Sequence, residues 1–306
     1  MEFKHISVML YETIDSLSIK PDGIYVDGTA GGAGHSFEIA KRLKNGKLIA
    51  LDRDPDAVAV ATERLKGLPA TVIQSNFEDI DLALKSVGID KVDGILLDLG
   101  VSSYQLDNAE RGFSYHKDAP LDMRMSKSGA TAAELVNNLS REELTQIFRD
   151  YGEERFAFKI AGEIVKKRAQ KPIDTTLQLA DIIASAVPAA ARRDGHPARK
   201  CFQALRIAVN GELGNLKGVL DKAFDTLNPD GVFSIITFHS LEDRIVKQKF
   251  KEYATGCTCP PDIPVCVCGK TPRGELVTRK PVTASKEELE QNARSRSAQL
   301  RSIKNL

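Results

Sequence analysis

An α/β fold, a doubly wound parallel sheet carrying an all-helical insertion, is predicted by three observations on the sequence. A short β-prone run, Ile24-Tyr-Val26, breaks into a glycine-rich turn and then a helical pattern at Phe37, Ile39, Ala40 and Leu43. The next apolar run, Lys47 to Leu51, closes on Asp52, about 20 residues beyond the glycines, where a Rossmann-like sheet places an acidic residue. The strand–helix alternation continues to Asp98 and then stops, to be resumed only near residue 232.

In chain order, Val8, Met9, Thr13, Ile14 and Leu17 are spaced for one face of a short helix over 6–17, and Lys20-Pro-Asp-Gly23 turns into the first strand. Pro55 to Lys66 predicts a helix with proline at its start, and Ala70 to Gln74 a third strand followed by Asn76 and Phe77. A helix over 79–87 leads to Val92-Asp-Gly-Ile-Leu-Leu-Asp98, a fourth strand. Residues 99–129 are polar and too long for a plain connection, which predicts a functional loop. Capping boxes at Thr131/Glu134, Ser140/Glu143 and Thr175/Gln178 announce helices in a row, and Phe156, Ile160, Ile164 and Val165 place another between the last two. Phe202 to Leu227 returns to an amphipathic helix, Asn228-Pro-Asp-Gly231 is a turn, and Val232 to Phe238 resumes the sheet. The tail adds a capping box at Ser285/Glu288 and a basic end. The predicted division is therefore a sheet domain of residues 1–107 with 206–306, and an inserted helical domain of 108–205 that recognises substrate.

A chain of 306 residues, 42% apolar and 28% charged, buries a core without staples. Its net charge of +1 gives no global nucleic-acid signature, so a phosphate-binding surface has to come from local clusters. No apolar run is long enough to span a membrane, and Met1-Glu-Phe-Lys-His5 has no hydrophobic signal core, so a cytoplasmic location without membrane contact is expected.

A glycine turn alone is also compatible with no ligand, and it is Asp52 at its fixed distance downstream that points to a nucleoside-containing cofactor. Gly28, Gly31, Gly32 and Gly34 admit positive φ and leave no Cβ in the way, so the N–H groups of Ala33, Gly34 and His35 can open a helix against a carboxylate or phosphate. Asp52 then accepts from both hydroxyls of a ribose. A dinucleotide site wants a third glycine where Phe37 stands, and no Tyr-x-x-x-Lys pair serves a hydride transfer, which weighs against an oxidoreductase. Gly269-Lys270-Thr271 ends like a P-loop, but its earlier glycine is Pro264. Asp27 immediately before the glycines instead looks like the first motif of class I S-adenosylmethionine (SAM) methyltransferases.

With these stretches in place the chain resembles one family throughout. Asp27-Gly-Thr-Ala-Gly-Gly-Ala-Gly-His-Ser36, Asp98-Leu-Gly-Val-Ser-Ser103, Arg111-Gly-Phe-Ser114, Pro120-Leu-Asp-Met-Arg-Met125, Phe202-Gln-Ala-Leu-Arg206, Phe238-His-Ser-Leu-Glu-Asp-Arg244 and Asn292-Ala-Arg-Ser-Arg-Ser297 together resemble the MraW (RsmH) family. That family methylates the exocyclic N4 of a cytidine in the decoding region of bacterial 16S ribosomal RNA. The resemblance implies SAM as cofactor and a 16S ribosomal RNA substrate within the small subunit. It also implies cofactor contacts at Ala33, Gly34, His35, Asp52, Phe77, Asp98 and Gln105. A ribosome-assembly factor that keeps the SAM fold for binding only is the non-enzymatic alternative.

Each of these positions also has a reading of its own. His35 either meets the cofactor or merely starts the helix at the surface, and Phe77 either stacks on adenine or packs. Gln105 rests on the resemblance alone. Asp98 ends a strand where amino methyltransferases often place Asn or Asp before Pro-Pro-aromatic, yet Leu99-Gly100-Val101 follows it here. It is the candidate catalytic residue, orienting or deprotonating N4, with Ser102 and Ser103 behind it; the alternative is that it only binds cofactor.

RNA contact is expected from Lys166-Lys-Arg168 with Lys171, from Arg192-Arg193 with Arg199-Lys200, and from Arg294, Arg296, Arg301 and Lys304. Tyr104, Phe113 and Tyr115 are candidates to stack on a flipped base, with core packing a rival for Phe113. Of five cysteines, Cys201 is expected to be buried, and Cys257-x-Cys259 with Cys266-x-Cys268 form a four-thiolate constellation tighter than paired C-x-x-C. No metal is assigned to it, and the resemblance does not require it.

Overall fold

The computed structural model describes residues 7–192, 196–259, 265 and 268–306. The segment Met1–His5, Arg193 and Cys266, all used above, lie outside the described residues. The chain divides into two compact units, Met1–Gly100 with Leu213–Leu306 and Val101–Glu212. These limits differ from the 107/108 and 205/206 divisions expected from the sequence, and they put Gln105 in the second unit.

The first unit opens with α1 (Leu10–Ser16), β1 (Ile24–Asp27), α2 (Gly34–Arg42), β2 (Lys47–Asp52), α3 (Pro55–Arg64), β3 (Ala70–Gln74), α4 (Ile80–Ser86) and β4 (Val92–Asp98). The second unit is helical, with α5 (Ser103–Asp107), α6 (Ala132–Asn138), α7 (Arg141–Asp150), α8 (Ala157–Arg168), α9 (Thr176–Ala186) and α10 (Ala198–Asn210). Through α11 (Glu212–Asp225) the chain returns to the first unit, where β5 (Leu227–Thr237), α12 (Ser240–Ala254), β6 (Gly274–Leu276), α13 (Lys286–Gln291) and β7 (Gln299–Asn305) complete it.

The sheet order is β3-β2-β1-β4-β5-β7-β6. Strands β1 to β5 pair in parallel, whereas β7 runs antiparallel to both β5 and β6. The sheet is therefore mixed rather than parallel throughout. Burial on both faces explains the unbroken apolar runs, because alternate residues serve opposite cores. Tyr25, Leu48, Ala50 and Leu96 pack with Ile39, Ala61 and Leu65 from α2, α3 and the end of α3. Val26, Ile49, Leu51, Ile95, Leu97 and Phe233 pack on the other face with Leu84, Leu220 and Phe250 from α4, α11 and α12.

Two expectations change. Asn228–Gly231 does not form a separate turn but is absorbed into β5, with Asp230 at φ 62 and a register irregularity opposite Val92/Gly94. Residues 99–129 are not a polar loop, since they hold α5 and a 3₁₀ turn at Ala109–Arg111 and send Phe113, Leu121, Met123 and Met125 into the core of the second unit. The three expected capping boxes close at Thr131, Ser140 and Thr175, each side chain accepting from the N–H three residues on.

Candidate active site

Parallel pairing brings the strand-terminal carboxylates to one edge. Asp27 sits level with Ala50 and Leu96, Asp52 opposite Gln74, and Asp98 opposite Ile236. Strand order reverses between β1 and β4, and a doubly wound sheet opens its ligand crevice outside such a switch point.

The turn from β1 into α2 is tied down on both sides. Asp27 is buried, accepting from Ser36 Oγ at 2.5 Å and from the Thr29 N–H at 3.1 Å. Burial, partly offset by these bonds, raises its carboxyl to about 6. Asp52 Oδ2 accepts from the Gly31 N–H at 2.8 Å and its Oδ1 from the Asp54 N–H at 2.8 Å; burial pushes it up despite both.

The glycines serve different ends. Gly31 needs its φ of 49, whereas a Cβ on Gly28 would lie 2.4 Å from Leu97 Cδ2 and 3.2 Å from Phe77 Cβ. Ala33 itself takes φ 55, and its N–H donates to the Ala30 carbonyl at 2.6 Å. That N–H is thus committed to the turn and not offered to an anion, contrary to the sequence expectation. Helix α2 has no side-chain cap and no acidic residue in its first turn, so the helix dipole at Gly34 favours a carboxylate.

His35 is not the surface residue that its alternative reading supposed, being only 5% exposed. Its Nε2 lies 3.1 Å from the Val8 carbonyl, which can only accept, so Nε2 donates and Nδ1 faces Asp98 Oδ2 at 3.6 Å. The Asp98 N–H donates to Thr29 Oγ1 at 2.6 Å, joining the end of β4 to the glycine turn. About a quarter of the Asp98 side chain is open (25%), yet its Oδ1 is buried with no hydrogen-bond partner among the described residues. Burial, then the Asp27 and Glu242 carboxylates, holds Asp98 well above the ordinary carboxylate range. A buried acceptor without a donor is costly, and here it marks a place for one.

Phe77 opens a 3₁₀ turn after β3 that is capped by Asn76 Oδ1, and it packs partly into the core beside Gly28. Gln105 belongs to the other unit, where its Oε1 accepts from the Ser102 N–H at 3.0 Å in a capping box on α5. The structure therefore gathers Ala33, Gly34, His35, Asp52, Phe77 and Asp98 at one edge, while Gln105 has a local structural bond in the helical unit.

Sequence reasoning passed over Glu242 and His239 as site residues. Glu242 is buried in the first turn of α12, its Oε2 accepting from the Phe238 N–H at 2.8 Å and its Oε1 lying 3.2 Å from His239 Nε2. The signal was available in His239-x-x-Glu242, a helix start with histidine as cap. Together Asp27, Asp98 and Glu242 make this edge acidic and mutually repelling, which suits a cationic ligand. An acidic edge, an uncapped helix for a carboxylate and Asp52 for a ribose fit SAM, whose sulfonium, carboxylate and sugar need those three partners.

Several RNA candidates are already occupied. Arg301 forms a bidentate pair with Asp243 at 2.7 and 3.0 Å, and Lys304 lies between Asp230 and Glu275 at 3.5 and 3.4 Å. Phe113 is core, Tyr115 stacks on His196 at 4.6 Å with Phe202 edge-on at 5.2 Å, and of these three aromatic candidates Tyr104 is the exposed one, at 50%. Cys201 is buried, as expected.

No helix among the described residues is long and apolar enough to cross a membrane. The model of the MraW methylase family matches residues 2–306. A ribosomal RNA small subunit methyltransferase H from Clostridium botulinum (strain Loch Maree / Type A3) is 58% identical over 304 residues, covering 98% of each chain. One from Lachnospira eligens is 57% identical over 306 residues, covering 98% of this chain and 97% of that one. The chain belongs to the MraW methylase family.

Proposed function

We propose that this SAM-dependent ribosomal RNA methyltransferase places the methyl group on the exocyclic N4 of a cytidine in the decoding region of 16S ribosomal RNA, within the small subunit in the cytoplasm. The carrying observation is Asp98, whose buried Oδ1 lacks a donor among the described residues and whose carboxyl is held well above its ordinary range at the switch point of the sheet.

When bound, SAM supplies an electrophilic methyl group on a sulfonium. The cytidine amine is a poor nucleophile because its lone pair is delocalised into the ring. As the N–C bond forms and the C–S bond breaks, N4 becomes acidic and must lose a proton. The Asp98 carboxyl takes it in its ionised form, which the positive charge of a neighbouring sulfonium favours against the burial that raises it. The Thr29 hydroxyl holds the backbone at Asp98, and the His35 ring lies beside Oδ2 at 3.6 Å. Gly34 at the start of α2 and Asp52 on β2 hold the carboxylate and ribose ends, and Phe77 supplies a face for adenine. Exposed Lys166 and Lys167 on α8, with Tyr104, serve the RNA. The proposed role of the helical unit is to receive the substrate.

Single-turnover methyl transfer to small subunits that lack the modification tests the role of Asp98. With Asp98→Asn, transfer is expected to fall about 10²- to 10⁴-fold, the range for a general base, while the SAM Kd changes only a few-fold. A loss of transfer that tracks the loss of SAM affinity would contradict proton acceptance.

A further inference from the structure

The segment between α12 and β6 carries cysteines that the methyl-transfer site does not use. Its neck is closed by the Arg273 N–H donating to the Tyr253 carbonyl at 2.8 Å and by Gly256 packed against Pro272. Beyond that neck, Val265 is 70% exposed and Cys257 is exposed too. An exposed valine contributes no apolar packing there, so the thiols are the groups that can fasten the chain at this point.

The Sγ atoms of Cys257, Cys259 and Cys268 converge, all lying within 4.8 Å of one another. Cys257 and Cys268 are 3.7 Å apart at sulfur. A disulfide would put them at about 2.05 Å, whereas two thiolates on one tetrahedral zinc, each about 2.3 Å from the metal, stand roughly 3.8 Å apart. Backbone amides point at these sulfurs: the Cys259 N–H donates to Cys257 Sγ at 3.4 Å and the Thr258 N–H to Cys268 Sγ at 3.5 Å. Such bonds stabilise the thiolate form and orient it towards a metal.

We propose that Cys257, Cys259 and Cys268 hold a structural zinc ion that fastens this loop. All-thiolate sets select soft or borderline metals, and zinc is the one that fastens without redox chemistry. The ion sits on the loop and takes no part in methyl transfer. Its binding releases the thiol protons, so the site loads less well as pH falls.

Metal analysis of the full chain purified without chelator is expected to give about one zinc per chain. Cys257→Ser, Cys259→Ser and Cys268→Ser are each expected to lower that content severalfold while SAM affinity, which reports a folded sheet, stays near wild type. Independently of these variants, titrating the wild type with an organomercurial beside a metallochromic indicator should release zinc in step with thiol modification. Protein devoid of zinc, iron or copper in its place, a native disulfide among these thiols, or zinc retained by all three variants would overturn the assignment.

Discussion

Asp27 is buried under the glycine turn with its carboxyl raised from 3.8 to about 6. Between those values the folded chain keeps a proton that the unfolded chain has released. Its stabilising contribution is complete below pH 3.8 and is lost as pH rises through about 6. Asp27→Asn keeps an acceptor for Ser36 and Thr29 but abolishes the titration. Urea unfolding followed across this window should show a shallower fall in stability for the variant, by on the order of 3 kcal/mol over the whole window. Equal slopes for both proteins would contradict the placement. Next to it, Gly28→Ala drives a Cβ towards Leu97 and Phe77; the leucine methyl can rotate, but Phe77 Cβ is fixed to the backbone. The expected loss is about 1–3 kcal/mol, read as a lower Tm, and an unchanged Tm would mean that the turn yields more readily than its contacts allow.

At the scale of elements, β7 shows why a strand in the tail is not legible in the sequence. Gln299-Leu-Arg-Ser-Ile-Lys-Asn has buried positions at Leu300, Ser302 and Ile303, with Ser302 hydrogen-bonded to Ser234 at 2.8 Å inside the sheet. A polar residue at the centre of the buried set hides the strand pattern, and two arginines in Asn292–Ser297 with more basic residues beyond suggested a solvated phosphate-binding end. Strands β1 to β4 were legible because their residues are apolar on both faces, and the capped helices because a capping box is a local signal that needs no partner elsewhere. Arg301 joins β7 to the first turn of α12 through Asp243, with both side chains mostly buried. Arg301→Ala is therefore expected to cost about 1–3 kcal/mol in stability and to leave the salt dependence of RNA binding unchanged. A smaller salt slope with full stability would return Arg301 to the RNA surface.

Across the whole molecule, the sheet edge was legible where chemistry sits close in sequence to a strand end, as at Asp52 and Asp98. Glu242 was not, because its approach to Asp98 depends on β5 lying beside β4, and that neighbourhood is created only after the chain has passed through the helical unit. Gln105 entered through family resemblance alone, and its bond to Ser102 is local to α5. The near-neutral net charge likewise concealed an acidic edge in one unit and exposed lysines in the other. The central claim is the atom that receives the methyl group. Small subunits lacking the modification, incubated with SAM and the full chain and digested to nucleosides for mass spectrometry, should yield N4-methylcytidine from the decoding region, and far less with Asp98→Asn. A methyl group on a ring carbon or ribose oxygen, or no methylated cytidine at all, would contradict the account.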